Sequence, residues 1–255
     1  MIFYFSATGN SKYVARKIAN SEHDRLISIP EATAQKKFVY TLAEYEKVGF
    51  VMPTYFYGLP TIISYFLERL ELKNIKGNYF YHVLTCGSTT GEAGTILNKT
   101  IQKKGYTLSA RYGVKMVENY IPMYKIPNEM KMKHLLDEAD EQIAIICTAI
   151  HNCAYGDQNT VKGLMAKQKT DLVYPIYMYG RKTKRFRVND ACIKCGLCER
   201  ICPCQAIEIT AEGPAWKQKR CVQCLGCLHR CPEHAIRYKK LSENKGRFQN
   251  PYIEL

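Results

Sequence analysis

Residues 192–203 read CIKCGLCERICP, and residues 221–232 read CVQCLGCLHRCP. Both stretches follow the pattern C-x2-C-x2-C-x3-C-P, and the second begins 29 residues after the first. Because only two residues separate successive cysteines in the first part of each pattern, a tight turn can place three thiolates around one site. The repeat continues beyond the cysteines, because Ala206-Ile207 and Ala235-Ile236 hold equivalent positions and each begins a short apolar segment.

The repeated pattern resembles the bacterial two-cluster ferredoxins over about residues 187–240. In that family the fourth cysteine of each run binds the other [4Fe–4S] cluster. The resemblance therefore implies two ligand sets, which we call set I and set II. Set I is Cys192, Cys195, Cys198 and Cys231, and set II is Cys202, Cys221, Cys224 and Cys227. It also implies a small hairpin-and-helix domain whose stability comes mainly from metal–sulfur bonds.

Two alternatives concern the roles of these cysteines. Eight cysteines could form two zinc sites, but zinc modules lack the third cysteine at this spacing and the trailing proline. Cys204 departs from the ferredoxin pattern, because it follows Pro203 where the family has no cysteine. We expect Cys204 to be a bystander thiol rather than a ninth ligand.

Length and composition place a larger domain before the cysteine repeat. The chain has 255 residues, of which 46% are hydrophobic, enough for one or two globular domains. No secretory signal is evident, so twelve cysteines do not indicate disulfides. The longest apolar run, residues 143–150, is too short to span a membrane. These features predict a soluble, cytoplasmic protein with free thiols at Cys86, Cys147, Cys153 and Cys204.

The chain is strongly basic, with a formal net charge of +14. Such a charge suits either nucleic acid or acidic partner proteins. No nucleic-acid-binding module is recognisable in the sequence. We therefore expect acidic redox partner proteins, no nucleic acid and no membrane insertion.

The N-terminus carries a candidate phosphate site. Residues 1–5 are apolar throughout and predict a buried parallel strand, and residues 12–19 predict a helix. Between them lies Ser6-Ala7-Thr8-Gly9-Asn10-Ser11. Hydroxyl groups, a glycine and free N–H groups at a helix N-terminus together favour an anion. The alternative is an ordinary helix N-cap without a ligand.

This loop resembles the first loop of flavodoxins, [ST]-x-T-G-N-[ST], which binds the FMN phosphate. The resemblance implies a second flavin loop after the third strand and a third flavin loop after the fourth. The candidate FMN-binding residues are Ser6, Ala7, Thr8, Gly9, Asn10, Ser11, Pro53, Thr54, Tyr55, Phe56, Tyr57, Gly58, Thr85, Cys86, Gly87 and Gly91.

Alternating strand and helix patterns support the same fold. Further strands are predicted at residues 25–29, 48–52, 79–84 and 111–117, with helices at 61–70, 92–104 and 130–151. Five β–α units predict an α/β fold, a doubly wound flavodoxin-like parallel sheet of order 2-1-3-4-5. Such a sheet binds its ligand at the carboxyl ends of its strands, at the topological switch point. A small α+β ferredoxin domain follows.

Aromatic residues in the second loop suggest how the flavin ring is held. Tyr55 or Tyr57 can lie against the ring by offset stacking, or can instead pack between loop and helix. The third loop has no aromatic residue, which would leave one face of the ring open. Cys86 in that loop is expected to be a small buried thiol.

The segment between the two domains is not a simple linker. Residues 161–169 predict a short helix, and residues 172–179 are too aromatic to be free, so we expect them to pack on the N-terminal domain. The basic run at residues 181–187 is either a solvated face or a docking site for an acidic partner. We expect domains at 1–155 and 188–240, a connecting segment at 156–187 and a tail at 241–255.

Together these features predict an electron-transfer protein that relays electrons between two [4Fe–4S] clusters and FMN. One alternative is a flavin-dependent reductase of a small acceptor that uses the clusters as an internal wire. A more distant alternative is a redox sensor. No nicotinamide-binding motif is present in the sequence, which argues against direct use of that cofactor.

Overall fold

We describe the fold from a computed structural model of residues 1–255. The strands are β1 (Ile2–Tyr4), β2 (Leu26–Ser28), β3 (Val39–Thr41), β4 (Val48–Pro53), β5 (Glu71–Lys73), β6 (Phe80–Cys86), β7 (Ala110–Lys115), β8 (Gly156–Asp157), β9 (Phe186–Val188), β10 (Ile207–Thr210), β11 (Gly213–Trp216) and β12 (Ile236–Tyr238). The helices are α1 (Asn10–Glu22), α2 (Ile29–Ala34), α3 (Thr61–Arg69), α4 (Ala93–Gln102), α5 (Glu129–His151), α6 (Ala166–Gly180), α7 (Leu197–Arg200) and α8 (Gly226–His229). None of them has the length and apolarity that a membrane span requires.

The N-terminal domain is built on a parallel sheet of order β2-β1-β4-β6-β7-β8. Its first five strands are the five predicted ones, and their order confirms the predicted 2-1-3-4-5 arrangement. The two-residue strand β8 extends the edge beyond β7. β3 and β5 form a separate parallel pair. Neither the edge strand nor this pair was predicted.

Apolar strands explain why helices cover both faces of this sheet. Along β1, Phe3 packs in a core with α2, α3 and α4, while Ile2 packs in a second core with α1 and α5. Successive side chains of a strand point to opposite faces, so a strand that is apolar throughout needs cover on both. The sheet therefore leaves only its ends for a ligand.

The prediction for the connecting segment was partly wrong. Helix α6 spans Ala166–Gly180 rather than residues 161–169, and it contains Pro175. Proline in a helix interior is unfavourable, so the sequence pattern did not indicate a helix across this position. The expected packing is confirmed, because the Tyr174 hydroxyl donates to the Leu59 carbonyl oxygen at 2.7 Å and Tyr177 is buried.

The C-terminal domain repeats one small unit. β9 pairs with β12 and β10 pairs with β11, both antiparallel. The short helices α7 and α8 each carry the third cysteine of their run, Cys198 and Cys227. The Ala206 N–H donates to the Cys202 sulfur at 3.2 Å, and the Ala235 N–H donates to the Cys231 sulfur at 3.3 Å. The 29-residue sequence repeat is thus also a structural repeat.

The two domains are packed against each other. Val222, between two cysteines of set II, is buried in the core that includes α3 and α4. The Tyr177 hydroxyl donates to the Val222 carbonyl oxygen at 2.9 Å. Helix α6 therefore joins the cysteine-rich domain to the end of the parallel sheet.

Candidate flavin and iron–sulfur sites

An open cavity lies where β1, β4, β6 and β7 end, with about 1100 Å³ of empty space when the solvent at its mouth is included. All three predicted flavin loops reach it. The predicted residues that line it are Ser6, Ala7, Thr8, Asn10, Ser11, Pro53, Thr54, Tyr55, Phe56, Tyr57, Thr85, Cys86 and Gly87. Gly9, Gly58 and Gly91 lie behind this lining, where a Cβ would meet Asn250, Tyr174 and Tyr57 respectively.

The first loop has the features of an anion site. No side chain caps the N-terminus of α1, whereas Ser28 caps α2 and Asn128 caps α5. The N–H groups of the first turn of α1 therefore lack an acceptor within the helix. The Ser11 hydroxyl lies in the cavity wall, 2.7 Å from that of Thr85. A phosphate fits this combination of free N–H groups, hydroxyls and helix dipole.

The second loop is a tight turn held in a strained conformation. Tyr55 and Gly58 exchange both backbone hydrogen bonds, at 2.9 and 3.0 Å. Phe56 and Tyr57 both have positive φ, 52° and 66°. Left-handed backbone at bulky residues costs about 1–3 kcal/mol each and is typical of functional sites. Helix α6 stabilises the turn, because Thr170 donates to the Tyr57 carbonyl oxygen at 3.1 Å.

Both tyrosines proposed for ring stacking line the cavity. Tyr55 also packs edge-on against Phe5 and Tyr177, and burial raises the pKa of its hydroxyl well above the ordinary value. Phe56 stacks on Tyr177 with ring centroids 5.7 Å apart. Stacking of Tyr55 or Tyr57 on the flavin stays a prediction. Tyr55 already packs against two aromatic rings of the protein, whereas Tyr57 makes fewer such contacts.

Cys86 in the third loop is a buried thiol, as expected. Its side chain is close to the Val114 carbonyl oxygen, and burial, followed by the nearby Glu118 carboxylate, raises the pKa of the thiol to about 12. The thiol therefore stays protonated at neutral pH and is a poor nucleophile. Glu118 is held in place by two N–H groups, those of Asn119 and Tyr120, at 3.0 and 2.9 Å.

A fourth loop, which follows β7, was missed by the sequence analysis. Its residues in the cavity wall are Met116, Val117, Glu118, Asn119, Tyr120, Met123 and Tyr124. The signal was available, because β7 ends at the same edge of the sheet as β6 and is followed by a long connection to α5. This loop supplies the aromatic rings that the third loop lacks. Val173 of α6 also lines the cavity.

Set I surrounds a space of its own. All four of its cysteines, from Cys192 to Cys231, line one small cavity with Ile209 and Pro214. Burial, with smaller contributions from the adjacent thiols of Cys192 and Cys231, raises the pKa of Cys198 to about 11. No three metal-binding side chains are compact enough for a single ion. Four sulfurs spread around such a space suit a multi-iron cluster.

The thiols of set II lie close enough together to act on one another, and they lie deeper in the molecule than those of set I. Burial raises the pKa of Cys224 to about 12, and the neighbouring thiols of Cys202 and Cys221 contribute to the rise. The pKa of Cys227 is raised well above its ordinary value by burial and then by Cys224. Thiolates crowded in this way repel each other unless a cation binds them. Iron supplies that positive charge.

Cys204 lies beside Cys202 of set II. Its sulfur is 3.9 Å from the Cys202 sulfur, and either thiol can be the donor. This contact lowers the pKa of Cys202 and raises that of Cys204. That Cys202 is the ligand and Cys204 a bystander thiol stays a prediction.

The two kinds of site meet at Cys224. Gln223, Cys224 and Leu225 form part of the wall of the large cavity. Next to them, a Cβ at Gly226 would contact the Cβ and carbonyl oxygen of Ala7 at 3.6 Å. The cysteine loop of set II thus lies against the phosphate loop. The sequence could not predict this contact, because the residues are more than 200 positions apart.

Comparisons with known proteins agree with both halves of the chain. The model of the flavodoxin domain family matches residues 1–143, and that of the 4Fe-4S dicluster domain matches residues 178–236. A ferredoxin-like protein in the nif region of Trichormus variabilis is 33% identical over 49 residues, 19% of this chain and 42% of that protein. A protein of the same description from Trichormus azollae matches equally. The chain thus spans less than half the length of these curated relatives.

Two solved structures are similar to the N-terminal part. The flavodoxin of Streptococcus pneumoniae TIGR4 has 16% identity and a TM-score of 0.33, covering 57% of this chain and 97% of the flavodoxin. The rubredoxin oxygen:oxidoreductase of Desulfovibrio gigas has 19% identity and a TM-score of 0.30, covering 58% of this chain and 35% of that protein.

The cofactors follow from the two domain matches. The flavodoxin domain binds FMN, and the dicluster domain binds two [4Fe–4S] clusters. The open cavity with its uncapped helix and the two sets of four cysteines suit these groups. Flavin exchanges one or two electrons and each cluster exchanges one.

Proposed function

Because the chain belongs to the flavodoxin family and carries a 4Fe-4S dicluster domain, we propose that it relays single electrons between a protein carrier and FMN through both cluster sites. The two domains themselves identify an electron-transfer protein of the flavin and iron–sulfur type. The relay is supported by one observation above all, the position of Cys224 in the wall of the flavin cavity.

The exposure of the two sets suggests the order of the relay. In set I, Cys195 is exposed, and its neighbour Ile193 is 62% exposed. In set II, Cys224 faces the cavity and Cys227 is buried. The sets adjoin each other, because Cys198 of set I is among the thiols that raise the pKa of Cys227. We assign set I to the surface and set II to the flavin.

Two one-electron transfers from the carrier protein are needed to reduce one FMN fully. A reduced one-electron carrier protein gives up one electron in each encounter and is itself oxidised. Clusters held by set I and then by set II would carry each electron towards FMN held in the cavity. Two electrons, with protons from solvent, would complete the two-electron reduction that flavin chemistry allows. The same path can run in reverse towards an oxidised carrier.

Anaerobic rapid mixing with a reduced bacterial ferredoxin tests this order. We expect cluster absorbance to bleach before flavin absorbance, with two electrons taken from ferredoxin for each FMN fully reduced, in addition to those that the bleached clusters retain. Flavin reduction that precedes cluster bleaching would contradict the relay. In the alternative reductase function, added small acceptors would reoxidise the flavin within turnover, whereas the relay passes electrons back to a protein carrier.

A basic surface supports an acidic protein as the carrier. Thr183 N–H donates to the Lys219 carbonyl oxygen at 3.1 Å, and Lys182 bridges Arg220, so two basic segments lie side by side. We call their exposed cations the basic ribbon: Lys182, Lys184, Arg187, Lys217, Lys219 and Arg220. None of the six takes part in an ion pair within the chain. Such a patch speeds the encounter with a negatively charged partner.

Charge reversal in the basic ribbon should slow this encounter. We expect Lys182→Glu with Lys219→Glu to lower the second-order rate constant for reduction by an acidic ferredoxin by about tenfold at low salt. The deficit should shrink above about 0.5 M salt, because screening shortens the range of the field. Stopped-flow kinetics at several ionic strengths measure both effects.

The control makes the same charge change on the N-terminal domain. Lys76 and Lys103 are exposed there, and replacing both by glutamate should lower the rate constant much less. Equal losses in the two double variants would show that net charge acts rather than the ribbon, and would remove the support for docking at this surface.

A further inference from the structure

The C-terminal segment returns from the cysteine-rich domain to the phosphate loop. We call residues 245–255 the C-terminal strap. It starts where the Ile126 N–H donates to the Lys245 carbonyl oxygen at 2.9 Å. Phe248 is 2% exposed and packs in the core that contains α1 and α5. The strap is therefore part of the packed structure, not a loose end.

Asn250 in the strap contacts the phosphate loop directly. Its backbone N–H donates to the Thr8 carbonyl oxygen at 2.8 Å, and its side-chain amide donates to the Asn10 Oδ1 at 3.2 Å. Asn250 is 2% exposed and does not line the flavin cavity. It supports the loop from behind.

The close fit at Gly9 shows how tightly the strap is packed. Gly9 has φ +101°, in the left-handed region, and a Cβ there would lie 2.7 Å from the Cβ of Asn250. The loop thus takes a conformation that the chain does not favour by itself, and Asn250 fills the space on its far side. A loop that must present several N–H groups to one anion gains affinity when it is held in that form before binding.

A second support reaches the same loop through His229. Its Nε2 donates to the Asn119 carbonyl oxygen at 2.8 Å, and its Nδ1 accepts from the Phe248 N–H at 3.2 Å. Asn119 in turn donates through its side chain to the Thr8 hydroxyl at 2.8 Å. His229 is buried on α8, between the ligands Cys227 and Cys231. Phosphate loop, strap and cluster-binding helix are therefore joined by hydrogen bonds.

We propose that Asn250 is a positioning residue of the FMN phosphate site, and that His229 links this positioning to the folded cysteine-rich domain. The inference rests on FMN binding by the N-terminal domain and is independent of the order or direction of the relay. In this arrangement the phosphate loop is completed by residues of the far C-terminus, which a free-standing N-terminal domain would lack.

Fluorescence titration of the full-length, cluster-loaded chain with FMN and with riboflavin tests the proposal. We expect Asn250→Ala to raise the Kd for FMN about tenfold, equal to about 1.4 kcal/mol. The Kd for riboflavin should stay unchanged, because riboflavin lacks the phosphate that the loop binds. Iron content should remain at about eight per chain. The matched control is Pro251→Ala, at an exposed position beside it, which should bind FMN like the parent.

A second variant keeps the test decisive. Truncation after Gln249 removes both hydrogen bonds of Asn250, so its loss of FMN affinity should exceed that of Asn250→Ala. His229→Gln should weaken FMN binding as well, although His229 lies outside the cavity wall. An unchanged Kd for FMN in both Asn250→Ala and the truncation would overturn the proposal. Equal losses for FMN and riboflavin would also overturn it, since a general loosening of the fold would then be the cause. A parent that bound no FMN would remove the flavin assignment itself.

Discussion

Replacing Cys224 by alanine is expected to slow reduction of the FMN by a protein carrier by at least about a hundredfold, which corresponds to about 2.7 kcal/mol in the barrier. Cys224 is a predicted ligand of set II, and it is the one member of that set that lines the flavin cavity. Its loss would remove a ligand of the cluster site that adjoins this cavity. Iron should fall from about eight to about four per chain, because the cluster of set II loses a ligand. Stopped-flow absorbance and iron analysis measure the two effects.

Cys204 provides a matched control for this variant. It lies in the same part of the domain, with its sulfur 3.9 Å from that of Cys202, and burial adds to the rise in the pKa of its thiol. We expect Cys204→Ala to keep about eight irons and to reduce its flavin within about twofold of the parent rate. Loss of iron in Cys204→Ala would make Cys204 a ligand. Rapid flavin reduction in Cys224→Ala would refute the relay through set II.

Removing the iron should unfold the C-terminal domain and leave the parallel sheet intact. The buried core of this domain comprises only eight of its own residues, joined by Ile121 from the loop after β7, and two of the eight, Cys198 and Cys227, are predicted ligands. The two cores on either side of the parallel sheet comprise 25 and 21 buried residues. The strands of the C-terminal domain, β9 to β12, have only three or four residues each. So small a core needs the metal–sulfur bonds to stay folded.

Hydrogen exchange measured by mass spectrometry, before and after anaerobic chelation, can follow this unfolding. Amides of β9, β10, β11 and β12 should exchange at least about a thousandfold faster without iron, which corresponds to about 4 kcal/mol of lost protection. Amides of β4 and β6 serve as the internal control and should not change. The strap should also lose protection, because the Phe248 N–H is bonded to His229. Retained protection in β9–β12 would show that packing alone folds the domain.

The local features of this chain were predictable because local chemistry produces them. The cysteine spacing specifies its cluster pattern within twelve residues, and an apolar strand followed by Ser6–Ser11 specifies a phosphate loop within about as many. Element boundaries were less certain. Helix α1 starts at Asn10 rather than Lys12, and β6 extends to Cys86 rather than Leu84. These differences are small because the ends of helices and strands depend on a few weak interactions.

Predictions failed where distant segments meet. The loop after β7, with Tyr120 and Tyr124, has no motif of its own, and only the ends of neighbouring strands bring it to the cavity. Helix α6 runs through Pro175, because its tyrosines pack against the second loop and Val222. Propensity alone argues against that helix, and tertiary packing overrides it.

The sequence by itself determined the fold class and the spacing of the cysteines, since both depend on patterns that are local or repeated in the chain, and its resemblance to flavodoxins implied the strand order. The two ligand sets and the phosphate loop stay predictions. The tertiary structure alone decided that Cys224 faces the flavin cavity and that Asn250 supports the loop at Thr8. Both contacts join residues more than 200 positions apart, and they arise from the packing of one domain on the other. No periodicity or spacing in the chain encodes such a contact, because the contact depends on how the surfaces of two folded domains fit together.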